Sequence, residues 1–195
     1  VFKVKSRHPS SNYRSEIAAY LIDRMFGFDL VPMTVQRKIN GKIGSIQYFI
    51  GDAKSPDQGY RKSNNLNVFD YLIHNKDRNS KNIIFYNQRE IAIDHGLSLR
   101  KYSYLGYILD ASDKIKSGLS LKKDPIRSKK LHPKRTPKLF CPNKNIYDQL
   151  KQASFDTLTK QLSPYLSKSK VRLLNKKIKK LLKYTSHSCH SVVQK

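Results

Sequence analysis

The chain has 195 residues, with 39 lysines and arginines against 14 acids, a formal charge of +25. That length suits one domain or two small lobes packed on each other. No run approaches the ~20 apolar residues a membrane-crossing helix needs, so the chain reads as soluble, with secreted (effector) and cytoplasmic locations both open. Residues 1–5 alternate apolar and basic side chains, as a short strand does. His8-Pro9-Ser10-Ser11-Asn12 has loop and helix-start chemistry, and Ile17, Tyr20, Leu21 and Met25 follow at helical spacing up to Gly27. Residues 31–39 and 43–50 read as strands joined by Asn40-Gly41, a dipeptide that tolerates positive φ at both positions and so favours a tight hairpin.

Residues 52–65 are polar, with Pro56 and Gly59, and read as a loop. Leu66, Phe69, Leu72 and Ile73 form a helical stripe that the polar run 74–82 breaks. Ile83-Ile84-Phe85 and Ile91-Ala92-Ile93 flank the polar turn Asn87-Gln88-Arg89-Glu90 and suggest a second hairpin, with Asp94-His95-Gly96 directly after it. Residues 112–137 are basic, contain prolines and have few large apolar groups; they read as a mobile loop or one ordered by a partner. The densest cationic stretch, 114–138, includes Lys122, Lys123, Lys129, Lys130, Lys134 and Arg135. The tail reads as helices on Ile146 and Leu150, on Leu158, Leu162 and Leu166, and on Val171, Leu174, Ile178, Leu181 and Leu182, with the last ten residues frayed. The fold class is therefore α+β. Cys141 and Cys189 have no metal-ligand spacing, and whether they form a disulfide is left open. The chain starts with Val and shows no signal peptide, which suggests a start that is processed or cut from a longer protein.

Transfer of a phosphoryl group from ATP needs charge neutralisation around the phosphates, metal ligands, and a carboxylate beside the attacking hydroxyl. Asp77 and Asn82 are separated as a catalytic aspartate and a metal-holding asparagine are in kinases. Asp94 stands at a strand end just before Gly96, a placement suited to binding magnesium. Lys3 on the first strand and Glu16 on the first helix match the lysine–glutamate pair that fixes the phosphate contact. Each residue alone has an ordinary reading as a surface lysine or a turn cap; their order along the chain carries the signal.

VFKVK, SEIAAYLIDRMFGFDLVPMTV, GSIQYFI, FDYLIHNKDRNSKNIIF and IAIDHGLSL, in this order over residues 1–100, resemble the phosphatidylinositol 3- and 4-kinase-related superfamily. The resemblance is closest to type II phosphatidylinositol 4-kinases and to bacterial atypical kinases related to them and to the secretory-pathway kinases. It implies a bilobal protein-kinase-like fold, with a β-rich N-lobe bearing one helix over 1–51 and a mostly helical C-lobe over 52–195. It also implies ATP and Mg2+ or Mn2+ as cofactors. Lys3 would contact the phosphates and Glu16 would pair with it. Tyr48, Phe49 and Ile50 would form the hinge beside adenine. Asp77 would be the catalytic aspartate, with Arg78 orienting its loop, and Asn82 and Asp94 would be the metal ligands. His95 takes the place after the metal aspartate; a metal-binding role for it lacks a second His or Cys at ligand spacing.

The chain departs from the pattern in three ways. Only two residues precede Lys3, so the first strands and a phosphate-covering loop are not in this sequence. The cysteine-rich palmitoylation motif is missing, which weakens a phosphoinositide acceptor. HNKDR is not the HRD order of eukaryotic protein kinases. The acceptor is expected to be an acidic protein or an anionic lipid, with peripheral contact to an anionic membrane. A nucleotide-binding pseudokinase or scaffold is the first alternative. A nucleic-acid binder, suggested by charge alone, is the second; the spread cations and the lack of a binding motif disfavour it.

Overall fold

The computed structural model describes residues 1–4, 12–75, 77–99 and 140–189. The loop at 8–11, Lys76, the basic stretch 114–138 and the last six residues lie outside the described residues. The architecture is α+β. Strand β1 (Phe2–Val4) is followed by helix α1 (Tyr13–Phe26), β2 (Thr34–Ile39) and β3 (Lys42–Gln47). Helix α2 (Asn64–Leu72), a single 3-10 turn (Ser80–Asn82), β4 (Ile83–Tyr86) and β5 (Arg89–Ala92) come next. Helices α3 (Lys144–Gln152), α4 (Phe155–Leu162) and α5 (Lys168–Ser188) complete the described elements.

The three-stranded antiparallel sheet has the order β1-β3-β2. Asn40 and Gly41 take positive φ of 47° and 74° at its hairpin, the left-handed pair that matches the twist of the flanking strands. Asn87 and Gln88 do the same at the β4–β5 hairpin, with φ of 48° and 61°. The apolar run read as a strand to Ile50 leaves the ladder at Gln47. Gln47 pairs with Thr34, and Pro32, two residues earlier, has no N–H with which to extend β2. Tyr48 and Phe49 are consequently outside the sheet and exposed.

Helix α1 starts at Asn12, whose side chain accepts from the Arg14 amide, and ends at Gly27 in the left-handed conformation. There the Gly27 and Phe28 amides bond to the carbonyls of Arg24 and Asp23, closing the open end of the helix. Its buried face differs from the expected stripe. Ile17 is buried, but Tyr20, Leu21 and Met25 sit at the core margin, and Ala18, Ala19, Ile22 and Phe26 are the central residues. The helix packs on β2 and β3 as well as on α3 and α4, so small alanines are needed where backbones come close.

One cluster of buried side chains unites this face with Leu66, Phe69, Leu72 and Ile73 of the α2 region and with the tail helices. In the tail, Ile146, Leu150, Leu158, Leu162, Leu166, Val171, Leu174, Ile178 and Leu181 are all buried. A disulfide joins Cys141, just before α3, to Cys189, just after α5, with the Cα atoms 5.8 Å apart and a sequence separation of 48. The end of α5 is therefore tied down where fraying was expected. Cross-linking a loop of this length removes unfolded-state entropy worth about 4 kcal/mol. Reduction, or Cys189→Ser, is expected to lower unfolding free energy by roughly that amount in denaturant titrations, with the slope against denaturant also altered because the reference chain is freed.

Candidate active site

Three segments meet at one buried carboxylate. Side chains alternate along β1, and the pairing of Lys3 with Ser45, which is buried, aims Lys3 at α1 while Phe2 and Val4 point to the other side of the sheet. Glu16 lies in the first turn of α1, on its buried face. Lys3 Nζ donates to Glu16 Oε1 at 2.7 Å and to Asp94 Oδ1 at 2.9 Å. The second Glu16 oxygen accepts from the His95 backbone N–H at 2.8 Å. One residue earlier on α1, Ser15 Oγ donates to the Ser98 carbonyl at 3.0 Å, so the same turn grips residues 95–98 twice.

Burial pushes the Glu16 carboxyl up, but bonding to His95 and the charge of Lys3 more than offset this and hold it at about 2. Burial works against the Lys3 charge too, and Glu16 and Asp94 outweigh it, so the ammonium is raised above its ordinary value. The pair is ionised at every physiological pH.

Arg78 makes the second knot. Its guanidinium is almost wholly buried. Nε bonds both oxygens of Asp70 on α2, at 3.1 and 3.3 Å. One terminal nitrogen donates to the Asn82 and Ile93 carbonyls at 2.7 and 2.8 Å, and the other lies 2.9 Å from His95 Nε2. A guanidinium can only donate, so Nε2 is the acceptor and the imidazole proton sits on Nδ1, which faces Glu16 Oε2 at 3.6 Å. Burial, with Arg78 acting in the same direction, lowers His95 below its ordinary value and keeps it neutral. His95 thus bridges the two knots. Sequence reasoning passed over Asp70; the signal available was a carboxylate inside the apolar stripe Leu66, Phe69, Leu72.

The residues expected to act are more exposed than those that hold them. Asp77 is exposed, and none of the described hydrogen bonds or ion pairs engages its carboxylate. Its backbone is fixed at both ends: its N–H donates to Asn75 Oδ1 at 3.0 Å and its carbonyl accepts from Asn82 Nδ2 at 2.8 Å. That bond commits the Asn82 amide nitrogen and leaves Oδ1 as its ligand atom. The hairpin pairs Ile83 with Ala92, and Ile93 N–H donates to the Asn82 carbonyl at 3.1 Å, which places Asn82 one residue from Asp94 across the ladder. Asp94 is 55% exposed and takes the left-handed conformation, φ 56°. For a non-glycine residue this stores ~1 kcal/mol or more, a strain that concentrates at functional sites.

This donor set fits a hard divalent ion held jointly with phosphate. Magnesium is bound through one or two protein groups plus phosphate and water oxygens, and Asn82 Oδ1 and the Asp94 carboxylate offer that number. No group of three or more His, Cys, Asp or Glu forms an all-protein cage among the described residues. Tyr48 and Phe49 are each 69% exposed, beside Met33, whose carbonyl accepts from the Tyr48 amide. Neither a family model nor a curated protein matches the chain. The functional reading rests on motif order and side-chain geometry.

Two outcomes test the geometry. Glu16 has a depressed folded-state value, so its contribution to stability is full above its ordinary 4.5 and lost as pH falls toward about 2. The difference in unfolding free energy between wild type and Glu16→Gln should therefore shrink across that window, from a plateau on the order of 3 kcal/mol. Arg78→Ala leaves the Asp70 carboxylate buried with a neutral donor, the Asn75 amide at 3.1 Å, and a more distant cation, Lys62 at 3.6 Å, and is expected to cost ~3–5 kcal/mol in denaturant unfolding.

Proposed function

We propose that the chain is an ATP- and divalent-metal-dependent phosphotransferase that moves the γ-phosphate to a hydroxyl acceptor, on a bilobal kinase-like fold divided near residue 51. The observation that carries this reading is Lys3 Nζ, held between Glu16 at 2.7 Å and Asp94 at 2.9 Å. A lysine anchored by a buried glutamate and turned toward an exposed aspartate is arranged to meet phosphate next to a metal ligand. Arg78 locks the loop bearing Asp77 and Asn82 to the strand end bearing Asp94, which supports assigning these three residues to one centre.

In this reading Lys3 neutralises the nonreacting phosphates, and Asp94 and Asn82 hold Mg2+ or Mn2+. The metal supplies charge neutralisation between triphosphate and carboxylate. Asp77 accepts the proton of the acceptor hydroxyl, a role that suits a carboxylate with no side-chain partner among the described residues. Arg78 is a positioning residue. Tyr48, Phe49 and Ile50 lie beside the adenine. The acceptor is a hydroxyl of an acidic protein or an anionic lipid. The Cys141–Cys189 disulfide favours the secreted location over the cytoplasm, where thiol pools keep cysteines reduced.

Incubation with labelled ATP and magnesium or manganese, against protein and lipid acceptors, tests the reading. Asp94→Ala is expected to lose metal-dependent ATP binding. Asp77→Ala should retain nucleotide binding while transfer falls by roughly 100-fold or more. Wild-type transfer by Asp77→Ala would sink the assignment. Metal-dependent nucleotide binding without transfer to any acceptor would instead identify a pseudokinase.

A further inference from the structure

Helix α5 carries two opposed faces. Val171, Leu174, Ile178, Leu181 and Thr185 are buried in the core. Lys168, Arg172, Lys176, Lys179, Lys180 and Lys183 are exposed. At 3.6 residues per turn these six fall within about 120° of the helix circumference, opposite the buried face. They form a band about 22 Å long at 1.5 Å per residue. No acid follows Asp156 in the sequence, so α5 carries none. The ion pairs among the described residues involve none of the six. Stability does not require this array: the helix is held by its apolar face, and like charges at i, i+4 spacing oppose helix formation.

We propose that the outward face of α5 is an electrostatic docking surface for an anionic lipid bilayer. The proposal is independent of the phosphotransferase reading. A bilayer surface asks only for cations that share a plane, and a straight helix lying along it provides them. Val171, Leu174, Ile178 and Leu181 are committed to the core and none of the outward residues is apolar, so contact is peripheral. A single nucleic-acid strand is bound in grooves lined with stacking aromatics, whereas this face is convex and has none. Five of the six cations are lysines, hydrated point charges suited to a diffuse surface potential, where phosphate reading favours the arginine fork. Juxtaposed Lys and Arg each strengthen attachment to acidic leaflets, within the reach set by salt.

The test is vesicle cosedimentation of the full chain with about 30% phosphatidylserine in phosphatidylcholine, and with phosphatidylcholine alone. A triple variant Lys176→Glu, Lys179→Glu, Lys183→Glu is compared with an equal charge change on exposed sheet residues, Arg37→Glu, Lys38→Glu, Lys42→Glu. The α5 triple should weaken binding to the anionic vesicles by ~100-fold or more, the sheet triple by less than ~10-fold, and phosphatidylcholine alone should not bind. Thermal unfolding establishes that both variants fold. If the glutamate triple does not, the Lys→Gln triple replaces it, with a loss of ~10-fold or more expected. Equal losses in the two triples overturn the proposal, as does equal binding to neutral vesicles. It is also overturned if anionic vesicles are not bound while an oligonucleotide or an acidic polypeptide is released by the α5 triple.

Discussion

A carboxylate buried on α1 sets the terms for everything around it. Glu16 sits where ionisation in isolation would cost several kcal/mol, so it must be matched or neutralised. Lys3 and the His95 N–H match it, and they come from segments 13 residues before it and 79 residues after it. A charge that needs both partners makes their positions mutually dependent. β1 must present Lys3 on the α1 side of the sheet, and the chain must turn after β5 to present an amide rather than a side chain. The left-handed φ at Asp94 accompanies that turn.

The Arg78 knot works by the same rule with the signs reversed. A buried guanidinium needs acceptors for its donors, and Asp70, two carbonyls and His95 supply them. The two knots share His95, whose neutral ring accepts from Arg78 on one side and turns its Nδ1 proton toward Glu16 on the other. Asp70, Arg78, His95, Glu16, Lys3 and Asp94 thus form one polar path running from α2 to β1. Breaking it at either end strands a charge in a low-dielectric environment, which ties local stability to the placement of the loop 77–82.

This arrangement separates holding from acting. The side chains of Glu16, Asp70, Arg78 and His95 are buried; Asp77 and Asp94 are exposed, and Asp77 has no side-chain partner among the described residues. Buried charges fix geometry because moving them is costly, while exposed carboxylates stay open to a ligand, a metal or a proton. The same logic separates the faces of α5. Its buried face is spent on the core, and the six outward cations make no ion pair among the described residues.

Much of the fold could be read from the sequence because it rests on local rules. Asn40-Gly41 selects its turn by backbone sterics, Leu66, Phe69, Leu72 and Ile73 match one helical face, and the tail stripe from Ile146 to Leu181 needs only a 3.6-residue period. The residue types and order of Lys3, Glu16, Asp77, Asn82 and Asp94 were equally plain. Tertiary structure alone decided the rest. Ala18, Ala19, Ile22 and Phe26 became the centre of α1 because packing partners lie on two sides of it. β3 ended at Gln47, paired with Thr34, because Pro32 has no N–H with which to carry β2 further. Asp70 became a buried counter-charge, and Cys141 met Cys189, through contacts that no local pattern encodes. Periodicity and turn chemistry are properties of neighbours along the chain. Which charge is buried, and what neutralises it, depends on groups brought together across tens of residues, and that follows only from the folded chain.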